Sequence, residues 1–365
     1  MSFSILGLGT AVPPHRMSQD ESALLARRVI CQTDQQARVL TALYQKAGVN
    51  NRYTALPHEI ALNWAPEAGD DSTKLATGVS VGPTTGERMQ YFAEHASSLA
   101  VRAAQAAITE AGVEPRQISH LITVSCTGFS APGVDIDLIH ELDLRPTTQR
   151  IQVGFMGCHG AINGLRCARA LTGADPAAVV LLCAVELCSL HYRFDWDPPR
   201  IVANALFGDG AAAIVGAGGT VKNTNNWSVV ATASCVLPNS KDAMSWQIGD
   251  HGFEMMLAAT VPDLIRKHLR NWLAAWLDEQ GHSIESVGSW AIHPGGPRIL
   301  HVCAEALGLS SELIAVSEEV LAEFGNMSSP TVLFIVNRLR ERQAPRPCVS
   351  LAFGPGLTAE AVLLH

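Results

Sequence analysis

From residue 88 to 112 the chain reads RMQYFAEHASSLAVRAAQAAITEAG. Its apolar side chains recur at helical spacing and Gly112 stands at the stop, so the pattern predicts a helix. A similar spacing predicts helix over roughly 19–47. Elsewhere the apolar positions are nearly continuous. SHLITVSCTG (119–128), RIQVGFM (150–156), AAVVLLCAVEL (177–187) and DGAAAIVGA (209–217) are strand-length runs bounded by turn residues. The apolar start, SFSILGLGTAVPPH, fits a buried first strand, and GCHGAINGLRCARAL supplies a helix of small residues between two of the runs. Strands without polar alternation are covered on both faces. The βαβα rhythm therefore predicts a layered α/β fold with its sheets held between helices.

The pattern also echoes itself. Residues 103–128 run helix, short polar link, then a strand that stops at a turn, and residues 269–296 repeat that layout. Any two αβ units share such an outline, so the pattern alone leaves duplication and coincidence both open. If the chain is duplicated, the join falls near 217–227, AGGTVKNTNNW, its most turn-rich stretch. The expected halves are then 1–220 and 221–365.

Composition narrows the function. Of 365 residues 47% are hydrophobic and 16% charged, which gives enough apolar material for a large core. The net charge of -8 argues against a general nucleic-acid binder, and no polybasic membrane patch appears. The longest apolar run is strand-sized, far below the ~18–20 residues of a membrane helix. The N-terminus lacks a basic region and a small-residue cleavage site, so no secretion signal is expected. Nine cysteines, mostly in apolar segments (Cys31, Cys167, Cys183, Cys235, Cys303), read as small hydrophobes of a reducing cytoplasm. No zinc-like Cys/His spacing occurs, and no metal is expected.

Three positions suggest chemistry. Cys158 closes a strand and opens a helix, so its sulfur can face free helix N–H groups. A thiol titrating near about 8.5 is mostly protonated at neutral pH. A helix dipole plus an imidazolium partner, worth about two units, would make thiolate the majority species. His293 ends the apolar strand WAIHPGG before a glycine pair, and Asn326 sits in a Gly-Asn turn, EFGNMSSP. Each has a bland alternative: an inert buried thiol, a structural histidine, an Asn tolerating a left-handed turn. Three such groups at strand ends of one layered α/β protein are a less ordinary coincidence than any one of them alone.

Taken in order, ILGLGTAVPP, CTGFSAPG, GFMGCHGA, ALFGDGAAA, AIHPGGPRIL, GNMSSPTVLF and FGPGLTAEAVLL resemble the type III polyketide synthases, chalcone synthase-like enzymes of the thiolase superfamily. The likeness covers essentially the whole chain. It implies a thiolase-like layered αβαβα fold built from two duplicated halves, and a homodimer that uses an acyl-CoA starter and malonyl-CoA without further cofactor. Cys158, His293 and Asn326 fall on the family's catalytic triad, and Phe207 and Phe253 on its two gatekeeper phenylalanines. For CoA binding, Lys46 and Arg52 match basic positions, while a commonly basic site is Asn50 here. Gly295, Gly296 and Arg298 match the pantetheine-contacting segment. The three cations read equally well as solvated surface.

The expected cavity departs from that of plant chalcone synthases. Cys126, Cys188 and His191 replace threonines, Met244 stands near a glycine position, and Thr127 and Ser328 complete the wall. Cys126 is either a second reactive thiol or simple lining. The pattern is similar to that of bacterial members, including tetrahydroxynaphthalene, alkylpyrone and alkylresorcinol synthases. The loop GFSAPG, with Ala131 at its tip in place of Met, is the segment expected to reach the partner's cavity, and the usual GFGPG reads AFGPG from Ala352. Two other readings stand beside this one. A ketoacyl-ACP synthase III shares the three residue types but sets its histidine in a HQAN-like context rather than HPGG. A non-catalytic acyl-binding protein on the same fold would not need all three.

Overall fold

The computed structural model describes residues 2–57, 82–219 and 226–365. In the first half of the chain the strands are β1 (Phe3–Ala11), β2 (His15–Ser18), β3 (Asn51–Thr54), β4 (His120–Ser125), β5 (Gln149–Gly154), β6 (Val179–Leu187) and β7 (Asp209–Gly218). The helices among them are α1 (Gln19–Ile30), α2 (Asp34–Gln45), α3 (Thr85–Ala111), α4 (Val134–Glu141), α5 (Gly160–Ala174) and α6 (Pro198–Leu206). The second half adds β8 (Ser228–Val236), β9 (Met244–Gly249), β10 (Gly252–Leu257), β11 (Ser289–Ile292), β12 (Cys348–Gly354) and β13 (Thr358–Leu364). Its helices are α7 (Val261–Glu279), α8 (Pro297–Leu307), α9 (Ser311–Phe324) and α10 (Thr331–Glu341).

The single helix expected over 19–47 is two. Thr33 starts a new one: its hydroxyl accepts the Gln36 N–H at 3.2 Å, while Gln36 Oε1 accepts the N–H groups of Gln32 and Thr33. That reciprocal cap satisfies orphan donors that a continuous helix would not expose, so the chain breaks at Cys31–Thr33. The expected 88–112 helix is α3, capped by Thr84 and Glu87 at one end and by left-handed Gly112 at the other.

Nine strands form one sheet in the order β11-β12-β13-β8-β1-β7-β6-β4-β5. Its centre is the short antiparallel pair of β1 with β8, Phe3 opposite Val229 and Ser4 opposite Ser228. Moving outward from that pair, each half repeats the same pairings. β1–β7 and β7–β6 are antiparallel and β6–β4 is parallel; β8–β13 and β13–β12 are antiparallel and β12–β11 is parallel. The sequence echo is thus geometric: α3, a 3-10 turn and β4 correspond to α7, a 3-10 turn and β11. Residues 220–225, most of the expected join, lie outside the described residues.

Strand alternation builds the layers. Leu121, Leu181, Cys183 and Ala213 face α3 and α4, whereas their neighbours Ile122, Leu182, Ala184 and Ile214 face α5 and α10. In the other half Cys348, Ala352 and Val362 share that middle layer, and Val349, Leu351 and Leu363 face α7 and α8. The stack is helix, sheet, helix, sheet, helix, as expected of the thiolase-like fold. Outside it, α1, α2 and α6 form a separate cap around Leu40, Tyr44 and Ile201. Among the described residues no helix is long and apolar enough to cross a membrane.

Two β1 glycines set the spacing of an outer layer. A methyl at Gly9 would lie 2.2 Å from the Ala103 carbonyl oxygen, and one at Gly7 equally close to that of Ala107. Helix α3 therefore rests on bare backbone through its alanine face. Gly9→Ala should destabilise the protein by about 1–3 kcal/mol, seen in denaturant unfolding; an unchanged midpoint would contradict this packing.

Candidate active site

β5 delivers Cys158 through a tight turn. Phe155 and Gly157 both take left-handed backbone (φ 57 and 67), and Cys158 occupies the 3-10 turn Gly157–His159 that leads into α5. A methyl on Gly157 would lie 2.7 Å from Pro355 Cδ, so this turn packs on the Gly354–Gly356 corner. The strand-to-helix placement expected for Cys158 holds. Burial raises its thiol, and the Ser328 and Asn326 side chains act in the opposite direction.

Asn326 is held by its backbone. Its N–H donates to the Leu206 carbonyl at 2.8 Å, and its own carbonyl accepts the Gly208 N–H at 3.0 Å, which ties it to Phe207 across a parallel bridge. Its side-chain Oδ1 accepts the Ser328 N–H at 2.8 Å. That contact fixes which end of the amide is which and leaves the NH2 as a donor for the sulfur or a ligand oxygen. His293 follows β11, its N–H donating to the Leu351 carbonyl at 2.8 Å. It is buried, and neither ring nitrogen has a hydrogen-bond partner among the described residues.

Electrostatically the site differs from expectation. Burial pushes the Cys158 thiol up to about 11 and the His293 imidazole down to about 3. Desolvation outweighs the helix end, so a resident thiolate is not the ground state of the free site. Under the division of roles proposed below, proton transfer from Cys158 to His293 would form the two ions as a pair rather than singly.

Cys158 opens onto a cavity of about 120 Å3. Its walls carry both expected gatekeepers, Phe207 and Phe253, and all six expected lining residues: Cys126, Thr127, Cys188, His191, Met244 and Ser328. His293 and Asn326 are not among its lining residues. Cys126 is buried, 3.3 Å from the Ser328 hydroxyl, and burial, then the Glu186 carboxylate, push its thiol well up, which favours lining over reactivity. Cys188 is held up in the same way, burial first.

The CoA-contacting residues divide. Lys46 and Arg298 are exposed, Gly295 is half-buried and Gly296 buried. A methyl at Gly48 would meet Pro297 at 2.5 Å, so the stretch after α2 abuts the start of α8. Arg52 does not join them as an exposed cation. It is 3% exposed, and its guanidinium donates to the Asn204, Ala205 and Phe207 carbonyls and to Gln19 Oε1. It is a clamp on the C-terminal end of α6, where free carbonyls favour a cation.

Sequence reasoning missed Glu186. This fully buried carboxylate accepts hydrogen bonds from Ser125, Thr127 and Ser329 hydroxyls and from the Cys126 N–H, at 2.6–3.2 Å. It joins the ends of β4 and β6 to the turn that carries Asn326 and Ser328. The signal was present: AVELC is an otherwise apolar strand with one acid at its end.

If His293 is the thiol's proton acceptor, His293→Ala removes it. Alkylation of Cys158 by iodoacetamide should then rise about tenfold per pH unit between pH 7 and 10, as for a thiol near about 11. The unaltered protein should label faster than the variant at pH 7. Identical rates in the two proteins would refute the proton-transfer pairing.

Family models match nearly the whole chain. The N-terminal domain of chalcone and stilbene synthases matches residues 2–219, and the C-terminal domain matches residues 228–365. A 1,3,6,8-tetrahydroxynaphthalene synthase of Streptomyces peucetius subsp. caesius is 34% identical, the alignment covering 99% of this chain and 93% of that one. The alpha-pyrone synthesis polyketide synthase-like Pks18 of Mycobacterium tuberculosis is 33% identical, over 98% and 90% of the two chains. The crystal structure of PKS-I from the brown alga Ectocarpus siliculosus superposes with a TM-score of 0.90 at 30% identity, covering 100% of this chain and 98% of that one. These matches favour the polyketide reading over a ketoacyl-ACP synthase III. The chain belongs to the chalcone and stilbene synthase family and is an acyltransferase, a type III polyketide synthase of bacterial type.

Proposed function

We propose that Cys158, His293 and Asn326 divide the condensation as follows. His293 takes the thiol proton, and the Cys158 sulfur attacks the carbonyl of an acyl-CoA starter. The bond to the CoA sulfur breaks, and the leaving thiolate takes up the His293 proton. Malonyl-CoA then loses CO2, and the electron pair of the broken C–C bond becomes an enolate. Hydrogen bonds from His293 Nε2 and the Asn326 NH2 hold the enolate oxygen. The enolate carbon attacks the Cys158 thioester, a C–C bond forms, and the sulfur leaves. The chain, two carbons longer, is now on CoA and can reload for another round before it cyclises to a pyrone, a resorcinol or another polyphenol.

The observation that carries this reading is His293, a buried imidazole with neither nitrogen partnered among the described residues, together with the Asn326 amide of fixed orientation. Buried polar groups are normally paired, and unpaired ones mark where a ligand oxygen belongs. An amide suits that role because decarboxylation itself makes the carbanion. A carboxylate there would repel the enolate. Phe207 and Phe253 exclude water and orient the malonyl unit. Lys46 and Arg298, exposed where the stretch after α2 meets the start of α8, support capture of the CoA phosphates, with Gly295 and Gly296 leaving room for pantetheine.

A homodimer is supported by the sheet edge. β5 has a partner on one side only, and Ile151, Phe155, Met156 and Phe129 beside it are 38–46% exposed. An apolar, unpaired strand edge is normally covered. Ala131 is exposed on the neighbouring loop, in position to approach a second copy. The nine cysteines are all free, which supports a reducing cytoplasmic location.

Labelled malonyl-CoA offered with a panel of acyl-CoA starters should give extended, cyclised products identifiable by mass. Asn326→Ala should slow both decarboxylation and extension about 10^2–10^3-fold, while acyl loading on Cys158 persists. Retention of full decarboxylation in that variant would remove Asn326 from the oxyanion site. In sedimentation the chain should run as a dimer of its 38.9 kDa subunit; an active monomer would overturn the interface.

A further inference from the structure

Strands β9 and β10 form a two-stranded hairpin separate from the main sheet, and it carries Met244, Trp246 and Phe253 onto the cavity. Its tip is fastened by Thr85, whose N–H donates to the Asp250 carbonyl and whose hydroxyl accepts the Gly252 N–H at 2.9 Å. At Phe253 one side chain makes two further contacts. The Phe253 N–H donates to His191 Nδ1 at 2.9 Å, and His191 Nε2 donates to the Thr127 carbonyl at 2.6 Å. The imidazole also stacks on the Phe253 ring, with centroids 4.2 Å apart and planes within 14°. Trp246 stands edge-on to both rings and donates its indole N–H to the Cys126 carbonyl at 2.6 Å.

We propose that His191 is a positioning residue: it clamps the Phe253 hairpin to the end of β4 and so keeps malonyl decarboxylation coupled to chain extension. The inference rests on Phe253 acting as the gatekeeper. Phe253 needs an acceptor for its N–H, and Thr127 needs a donor for its carbonyl. A neutral imidazole with its proton on Nε2 supplies both from one rigid ring. Burial holds the ring neutral, pushing it down to about 3, so the clamp persists across the working pH range. An apolar ring of similar size would keep the stacking but leave both backbone groups buried and unpaired. The hairpin would then loosen and admit water. Water would protonate the enolate carbon to give acetyl-CoA, and a CO2 would be lost for which no C–C bond is made.

The test is the ratio of CO2 released to C–C bonds formed from labelled malonyl-CoA, with acetyl-CoA measured alongside. The unaltered enzyme should give a ratio near one. His191→Phe should raise it severalfold, with matching acetyl-CoA and a KM for the starter changed little. His191→Asn keeps an acceptor at the Nδ1 position and should recover coupling; His191→Gln keeps only the donor toward Thr127 and should not. This Asn/Gln contrast decides the question even if His191→Phe fails to fold. A merely structural role would lower the melting temperature of the variants and leave the ratio near one, which overturns the proposal. Phe253→Ala is the control. If it uncouples the reaction and the His191 variants do not, the clamp is wrong; if it stays coupled, the gatekeeper reading falls and the clamp with it.

Discussion

The site is governed by the cost of placing charge where water cannot reach. Cys158 and His293 are each held neutral by their surroundings, in opposite directions along the pH scale. Either ion alone is disfavoured. In the proposed mechanism the proton moves from Cys158 to His293 when it is needed, and no charge is stored beforehand. The buried ionisable groups nearby obey the same rule in other ways. Glu186 is surrounded by three hydroxyls and an N–H, Asp209 accepts from Ser189 and the Ala55 N–H, and Arg52 is spent on carbonyls. These dense networks make the floor of the site rigid, because each member is needed to satisfy another.

That rigidity is delivered by the sheet. β5 and the turn after it present the sulfur, β11 presents the imidazole, and the turn after α9 presents the amide. Cys158 comes from one half of the duplicated architecture and His293 and Asn326 from the other. Glu186 ties the ends of β4 and β6, both of the first half, to Ser329 of the second, so this buried side chain is a strut between the halves.

Much of this could be read from residue order alone. Near-continuous apolar strands separated by helices carried the layering, and the repeat of 103–128 at 269–296 reappears as matched strand pairings. The positions expected for triad, gatekeepers and cavity were legible because short motifs hold them, and the cavity lining includes Cys158 and both phenylalanines. The break between α1 and α2 was hidden because apolar spacing continues across it and only the Thr33 and Gln36 side chains mark the boundary. Arg52 and Glu186 were misjudged or missed for one reason: whether a charge is solvated or enclosed depends on which distant backbone groups surround it. The Asn204 and Phe207 carbonyls are about 150 residues from Arg52. The thiol erred likewise, since position at a helix start is visible in sequence and depth of burial is not.

The seam between the halves has a further consequence. The strand pairing across it is short, Phe3 and Ser4 with Val229 and Ser228, and the middle helical layer packs over it. Cys158 lies on one side of that seam and His293 and Asn326 on the other, so the proposed chemistry needs both halves. Turnover therefore acts as a gauge of how well two similar bodies have docked, and a slip too small to alter either body would still silence the enzyme.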